Sequence, residues 1–126
     1  MILGIGNDIL EVDRMRRDLD MAGSEFRDRL FTPAEIAYCE RKRYPAQHYA
    51  ARFAAKEAFL KALNTGLRNG LSWKDVEVRH GAGGAPELVL SGEARELAEQ
   101  RGIEKTFLSL SHTSSLAMAS VVLEGR

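Results

Sequence analysis

Apolar, β-forming runs alternate along the chain with helical patterns. Residues 2–10 are rich in isoleucine and leucine and predict a first strand. Val76 and Val78 begin a second strand, HGAGGAP provides a turn, and ELVL returns as a third. The segment TFLSLSHTSSLAMASVVL predicts two more strands, joined around residues 113–115.

Helical signals lie between these strands. TPAE places an N-cap residue, Thr32, before a proline at the first helical position, and Glu35 completes a capping box. Gly66 follows the longest helical pattern, as is typical of a glycine beyond a helix end. Ser91 is predicted to cap the last helix. The predicted helices cover residues 12–22, 32 to before 45, about 48–63, and 91 to about 101.

The order of elements is one strand, helices, two strands, a helix and two strands. This order favours an α+β fold with an antiparallel sheet over a doubly wound parallel sheet. At 126 residues the chain is predicted to form a single domain over residues 1–126, and it is long enough to bury a core without disulfides.

Composition and charge narrow the function classes. The chain carries 18 basic and 18 acidic residues, so its zero net charge gives no reason to expect nucleic acid as a partner. No run of roughly 18 apolar residues predicts a membrane span, and MILGIGNDIL lacks the features of a signal peptide. The single cysteine, Cys39, excludes an internal disulfide and is predicted to be a small core residue, which suits a cytoplasmic location.

The helix ARFAAKEAFLKAL carries four charges on a pattern that otherwise predicts burial. At about 100° per residue, Arg52 and Lys56 project in nearly one direction, and Glu57 and Lys61 in another. An exposed Glu–Lys pair with this spacing stabilises a helix by about 0.2–0.5 kcal/mol and would be purely structural. Apolar residues between the two charged directions favour the alternative, in which Glu57 is a metal ligand or base and Lys61 binds an anion.

Two further segments hold candidate chemistry. Asp8 ends the strand in GIGND, where it is either a turn or capping residue or a carboxylate held on a rigid strand end. Gly4 and Gly6 in this strand indicate close approach of another backbone or a ligand. In SLSHTSS, a segment also typical of a hydroxyl-rich turn, Ser111 and His112 point to opposite faces of a strand, which argues against a serine nucleophile.

GIGNDI, RFAAKEAFLKA and SLSHT occur in an order and with spacings that resemble the short bacterial holo-acyl-carrier-protein synthases, a type of 4′-phosphopantetheinyl transferase. The resemblance extends over essentially the whole chain, and RFAAKEAFLKA is its most specific motif. It implies an α+β domain with an antiparallel sheet and a central packed helix. It also implies magnesium-dependent transfer of the phosphopantetheine arm of coenzyme A to a serine of an apo acyl carrier protein, with release of adenosine 3′,5′-bisphosphate, in support of fatty acid biosynthesis.

The resemblance assigns roles to individual residues. Asp8 and Glu57 are expected to be the magnesium ligands and, with Lys61 near the coenzyme A pyrophosphate, the catalytic residues. Besides Lys61, the residues expected to bind coenzyme A are Arg52, His112, Thr113, Arg43 and Pro86. Lys42 stands beside Arg43 as an alternative phosphate contact, and Ala85 precedes Pro86 where many relatives have lysine.

The resemblance also implies assembly and a protein partner. Similar proteins are homotrimers with each active site between two subunits, so that the metal carboxylates and the SHT strand come from different chains. Acyl carrier proteins are acidic, which predicts docking on a basic helix. Arg14 and Arg17, with Met21 one turn further, are spaced to share one face of such a helix.

Considered without the resemblance, the residues leave alternatives open. One is a metal-dependent nucleotide-binding or nucleotide-hydrolysing domain that uses the same carboxylates. Another is a non-catalytic oligomerising module in which every charge is structural. Transfer also needs a base for the serine proton, and either Glu57 or a water on the magnesium would serve.

Overall fold

The structure is a computed structural model that describes residues 1–67 and 70–126. In chain order its elements are β1 (Ile2–Glu11), α1 (Val12–Leu30), α2 (Pro33–Glu40), α3 (Pro45–Ala62), a 3-10 turn (Trp73–Asp75), β2 (Val76–His80), β3 (Pro86–Leu90), α4 (Gly92–Gln100), β4 (Ile103–His112) and β5 (Leu116–Gly125). Every strand and helix that the sequence predicts is present in this order, and the 3-10 turn is an addition.

The strands form two antiparallel units. β1, β5 and β4 make a three-stranded sheet in that order, and β2 pairs with β3 as a separate hairpin. α3 lies against one face of the larger sheet, where Ala58 and Phe59 share a buried core with Ala119 and Val121 of β5. The predicted α+β fold with an antiparallel sheet and a central packed helix is confirmed.

Two glycines of β1 allow α3 to approach the sheet at backbone distance. A Cβ atom at Gly4 would lie 2.1 Å from the carbonyl oxygen of Ala62. A Cβ atom at Gly6 would lie 2.1 Å from the carbonyl oxygen of Ala58 and 2.6 Å from the backbone nitrogen of Ala62. Any larger residue would clash with backbone, which cannot rotate away as a side chain can. The predicted close approach is therefore confirmed, and α3 is the neighbouring backbone.

The first helical piece ends where its sequence pattern predicts. Gly23 has φ 65° and ψ −151°, outside the helical range, and interrupts α1 directly after residue 22, the predicted end. Glycine adopts positive φ without a steric penalty, so the chain kinks at this residue. A second helical piece, which the sequence pattern does not predict, continues α1 to Leu30.

The ends of the other helices differ in detail. α3 begins at Pro45, three residues before the predicted start, because proline suits the first helical position. The left-handed residue after α3 is Asn64, with φ 57°, and not the predicted Gly66; asparagine is the next most common residue in that role. Ser91 occupies the N-cap position of α4, but its side chain makes no capping hydrogen bond.

A buried ion pair joins α3 to α2 and β2. The predicted capping box of Thr32 and Glu35 is present. Glu35 Oε1 also accepts a hydrogen bond from Lys56 Nζ at 2.8 Å, and both side chains are fully buried. Lys56 Nζ further donates to two backbone carbonyls, of the 3-10 turn and of β2, at 2.9 Å each, while a backbone N–H of β2 donates to Glu35 Oε2 at 2.9 Å. Burial lowers the pKa of Lys56, and Glu35 opposes that shift.

Cys39 is free and fully buried, as predicted for a small core residue. Burial raises the pKa of its thiol to about 12, which makes it a poor nucleophile at neutral pH.

Within residues 1–67 and 70–126, no helix combines the length and apolar character that crossing a membrane requires.

We expect Gly6→Ala to destabilise the protein by about 3 kcal/mol or more, because overpacking against backbone cannot be relieved by a rotamer change. Urea unfolding followed by circular dichroism measures this. Gly66→Ala is the matched control, since a Cβ atom there meets nothing within 4 Å in the described chain and φ is not positive. Equal stability of the two variants would contradict the close contact between β1 and α3.

We expect Lys56→Met to cost about 3–5 kcal/mol of unfolding free energy, because it leaves the Glu35 carboxylate buried without its cation. Lys61→Met, on the same helix but with a side chain 54% exposed, should cost less than about 1 kcal/mol. Thermal and denaturant unfolding of both variants at pH 7 provide the comparison. A small effect at Lys56 would show that the buried pair does not hold α2, α3 and β2 together.

Candidate functional site

The candidate residues lie at both edges of the three-stranded sheet, on the face that α3 covers. Asp8 of β1 pairs with Ala119, and His112 at the end of β4 pairs with Ala117. Both alanines are buried, and cross-strand partners share a face of the sheet. β1 and β4 are separated by β5, hence by two strand spacings of about 4.8 Å each. Asp8 and His112 therefore belong to different edges of one surface.

At the β1 edge, Asp8, Glu57 and Lys61 form what we call the carboxylate cluster. Lys61 Nζ donates to Asp8 Oδ1 at 2.8 Å, with the Lys61 side chain 54% and the Asp8 side chain 16% exposed. Burial raises the pKa of Glu57, the Asp8 charge raises it further, and Lys61 lowers it. The hydrogen bond to Asp8 raises the pKa of Lys61. The ammonium of Lys61 thus pairs across elements with Asp8, and not along the helix with Glu57.

The donor set of the carboxylate cluster fits a hard divalent cation. Asp8 and Glu57 offer carboxylate oxygens, and magnesium typically takes one or two protein carboxylates and leaves its other positions to water and phosphate. In the part of the chain that the structure describes, no three His, Cys, Asp or Glu side chains converge to form a closed metal site. A cation at this edge would therefore share its coordination with a ligand, and it would compete with the Lys61 ammonium for Asp8.

At the β4 edge, four aromatic side chains from four elements make what we call the ring cluster: Tyr38, His48, His80 and His112. Tyr38 stacks on His80 with ring centroids 4.7 Å apart. The ring of His48 meets Tyr38 edge-on at 5.9 Å and His112 edge-on at 5.2 Å. The cluster joins α2, α3, β2 and β4 into one surface.

Three cations lie over Tyr38 in this cluster, the farthest being Arg41, whose guanidinium carbon is 5.8 Å from the ring centroid. The guanidinium carbon of Arg52 is 4.0 Å from the Tyr38 ring centroid, and Lys42 Nζ is 4.6 Å from it. Arg52 is only 2% exposed, and its Nε has no hydrogen-bond partner. Among residues 1–67 and 70–126, the ion pairs of the structure do not include Arg52. A buried guanidinium without a carboxylate is unfavourable by itself, so Arg52 is poised to receive an anion.

The other residues expected to bind coenzyme A do not all lie at the ring cluster. Pro86 is the register partner of His80 and so adjoins the ring cluster. Thr113 Oγ1 accepts hydrogen bonds from the backbone N–H groups of Ser115 and Leu116 at 3.2 and 3.1 Å, which stabilises the β4–β5 turn. Arg43 lies over Tyr44, with its guanidinium carbon 5.2 Å from the ring. Of Lys42 and Arg43, it is Lys42 that lies at the ring cluster.

Sequence reasoning missed three residues of the ring cluster. His48 stands four residues before Arg52 on α3, and this spacing was a signal that both share a helix face. Tyr38 and His80 carry no comparable local signal, because they reach the cluster from α2 and from β2. Their contribution appears only when the tertiary structure brings these elements together.

The helix α1 exposes the predicted docking residues. Arg14, Arg17 and Met21 are all exposed, with Met21 86% accessible. Another face of α1 lines a cavity of about 930 Å³ against the start of α3, and Arg43 and Tyr49 contribute to its opposite wall. Arg14, Arg17 and Met21 do not line this cavity.

Comparison with known proteins gives one consistent family. Residues 4–119 match the model of the 4′-phosphopantetheinyl transferase superfamily. The chain is similar to the holo-[acyl-carrier-protein] synthase of Geobacter sp. (strain M21), with 55% identity over 124 residues that cover 98% of this chain and 99% of that protein. Among solved structures, the Neisseria meningitidis holo-[acyl-carrier-protein] synthase matches with a TM-score of 0.90 at 37% identity, covering 98% of this chain and 99% of the other. The holo-(acyl-carrier-protein) synthase from Bacillus anthracis str. Ames, solved in complex with CoA (3′,5′-ADP), matches with a TM-score of 0.81 at 38% identity, covering 100% and 99%.

Proposed function

Because the chain belongs to the 4′-phosphopantetheinyl transferase superfamily, we propose that it transfers the 4′-phosphopantetheine group of coenzyme A to a serine of an apo acyl carrier protein. The products are holo acyl carrier protein, which fatty acid biosynthesis uses, and adenosine 3′,5′-bisphosphate. The proposal rests on one observation: a single helix carries two separate groups of side chains that are suited to bind phosphate. α3 presents Glu57 and Lys61 to one edge of the sheet and the unpaired Arg52 to the other.

Coenzyme A has two phosphate groups that suit these two arrangements. Its 3′-phosphate is a dianion that could pair with the buried guanidinium of Arg52. His112 and Lys42 belong to the same cluster of side chains. Its pyrophosphate suits the carboxylate cluster through magnesium and Lys61. The related B. anthracis structure, in complex with CoA (3′,5′-ADP), supports coenzyme A as the ligand class.

Magnesium, held by Asp8 and Glu57, would neutralise the pyrophosphate and polarise its phosphorus–oxygen bonds. The serine oxygen of the carrier attacks the phosphorus next to the pantetheine, and the bond from that phosphorus to the oxygen of the adenosine 5′-phosphate breaks. Lys61 stabilises negative charge on the departing bisphosphate. Glu57, whose pKa burial raises, is the carboxylate of the cluster better suited to accept the serine proton.

The active protein is proposed to be a homotrimer with sites between subunits. The face of the sheet opposite α3 exposes a band of large apolar residues, Ile5, Ile9, Phe107 and Met118, between 44% and 70% accessible. Contiguous exposed apolar surface of this kind typically marks a protein–protein interface. Because Asp8 and His112 lie at opposite edges of one sheet, a neighbouring chain that packs on this face can bring its β4 edge to the β1 edge of the first.

One experiment separates transfer from the two alternatives. The protein is incubated with coenzyme A, magnesium and an apo acyl carrier protein, and the carrier is then weighed by mass spectrometry. A gain of one phosphopantetheine supports the proposal. Nucleotide turnover without any gain on several carriers would favour a nucleotide hydrolase, and neither product would favour a structural module.

We expect Asp8→Asn and Glu57→Gln each to reduce transfer by at least about 100-fold while the fold stays intact, because each removes an anionic oxygen ligand with little change in volume. Carrier mass gain over time gives the rate, and circular dichroism gives the fold. Glu96→Gln, an exposed change on α4, is the control and should keep full activity. Near-normal transfer by either site variant at modest magnesium would remove that residue from the metal site.

We expect Arg14→Glu combined with Arg17→Glu to weaken carrier binding far more than coenzyme A binding. The loss should shrink as salt rises, because exposed charges are screened beyond about 8–10 Å. Arg95→Glu combined with Lys105→Glu makes the same charge change at exposed positions of α4 and β4 and should leave carrier binding nearly unchanged. Equal losses for carrier and coenzyme A in the α1 variant would rule out this helix as the docking surface.

We expect an inactive His112→Ala protein, mixed with an inactive Glu57→Gln protein, to recover activity if sites are shared. After random exchange of equal amounts, about a quarter of the interfaces in a cyclic assembly pair an intact Glu57 with an intact His112. Subunits must be exchanged through mild unfolding and refolding, and mass spectrometry must verify the mixed trimers. No recovery after proven exchange, or full activity of a monomer, would place the whole site within one chain.

A further inference from the structure

The ring cluster contains a histidine that the proposed reaction does not use. His48 lies on α3, partly buried, with its ring between those of Tyr38 and His112. It stands one helical turn before Arg52, the buried guanidinium without an anion. His48 thus contacts His112 and neighbours Arg52, and both of these residues are proposed to bind phosphate. Its ring is itself largely shielded from water.

The groups that face His48 are neutral or positive. They come from every element around it: Tyr38 from α2, Lys42 from the α2–α3 connection, Arg52 from α3, His80 from β2 and His112 from β4. Burial, followed by His112, Arg52, Lys42 and His80, lowers the pKa of His48 to about 4. Burial, Arg52 and Lys42 also lower the pKa of His80. The cluster therefore holds fixed cations beside the imidazoles of His48 and His80, whose pKa values are lowered by burial and by these cations.

A bound phosphate would raise the pKa of His48. The negative charge of a dianion beside Arg52 and His112 would offset the positive charges that disfavour a proton on His48. We propose that His48 is a positioning residue that couples occupation of the anion site to proton uptake, so that the ligand's phosphate is held more tightly as the pH falls. This inference rests on the proposed function, since it takes the ligand to be the 3′-phosphate end of coenzyme A. Protonated His48 would add a positive charge behind Arg52, without touching the phosphate itself.

The direction of the pH effect follows from linkage. Binding raises the pKa of His48, so the complex holds more protons than the free protein between the free and bound pKa values. Affinity must then increase as pH falls through that window, which begins above about 4 in the free protein. The phosphate ester of the ligand titrates near pH 6 and has the opposite effect, because protonation removes its charge. A comparison of variants with the same ligand cancels that contribution.

The test uses adenosine 3′,5′-bisphosphate and the full-length protein in its solution assembly. Isothermal titration calorimetry from pH 5.5 to 8, in buffers of different ionisation enthalpy, gives both affinity and the number of protons taken up. His48→Phe keeps an aromatic ring between Tyr38 and His112 but cannot accept a proton. We expect equal affinities at pH 8 within about twofold, a wild-type advantage of roughly three- to fivefold at pH 5.5, and less proton uptake in the variant, because only the wild type gains the linked charge.

A second measurement does not depend on the variant folding. Adenosine 5′-monophosphate lacks the 3′-phosphate, so the pKa of His48, followed by NMR of its imidazole in the wild type, should rise with the bisphosphate and not with the monophosphate. An equal pKa of His48 with the two ligands, or identical pH profiles for wild type and His48→Phe, would overturn the role of His48. Transfer of phosphopantetheine to the carrier alongside such a result would leave the proposed function standing. Failure of the bisphosphate to bind at any pH would overturn both the anion site and this inference.

Discussion

The backbone contact between β1 and α3 is the constraint on which the rest of the structure depends. Gly4 and Gly6 have no side chains, so the carbonyl groups of Ala58 and Ala62 lie where Cβ atoms would otherwise be. Asp8 is two residues beyond Gly6 and therefore on the same face of β1. A close packing contact and the proposed metal site thus depend on the same few residues. A larger gap between strand and helix would separate Asp8 from Lys61 and so disperse the carboxylate cluster.

The charges on α3 divide into three roles according to their surroundings. Lys56 points into the core, where Glu35 and two carbonyls satisfy it. Arg52 is equally buried but contacts the face of Tyr38 in place of a carboxylate. Glu57 and Lys61 lie at the sheet edge beside Asp8. The helix is therefore both a core element and the floor of the proposed site, and the uncompensated charge of Arg52 is a local cost that a bound anion would offset.

The ring cluster gives the proposed anion site a character that the family motifs do not describe. Arg52 and His112 belong to motifs that the sequence makes visible, whereas Tyr38, His48 and His80 come from segments with no motif of their own. Aromatic rings hold the guanidinium in place without neutralising it, because a ring face attracts a cation but carries no net charge. A carboxylate in the same position would orient Arg52 equally well and would compete with phosphate.

The sequence by itself determined the features that depend on neighbouring residues. These include the order of strands and helices and the capping box of Thr32 and Glu35. The end of α3 was predicted less well, because the left-handed residue there is Asn64 and not Gly66, and asparagine can take that conformation as glycine does.

Only the tertiary structure decided which charges are paired. Lys56 finds Glu35 at a separation of 21 residues, and Lys61 finds Asp8 at 53. Helical periodicity placed Arg52 and Lys56 in nearly one direction, yet one is neutralised and the other is not. The physical reason is that an ion pair forms only where folding brings both partners within about 4 Å, and local spacing contains no information about a partner on another element.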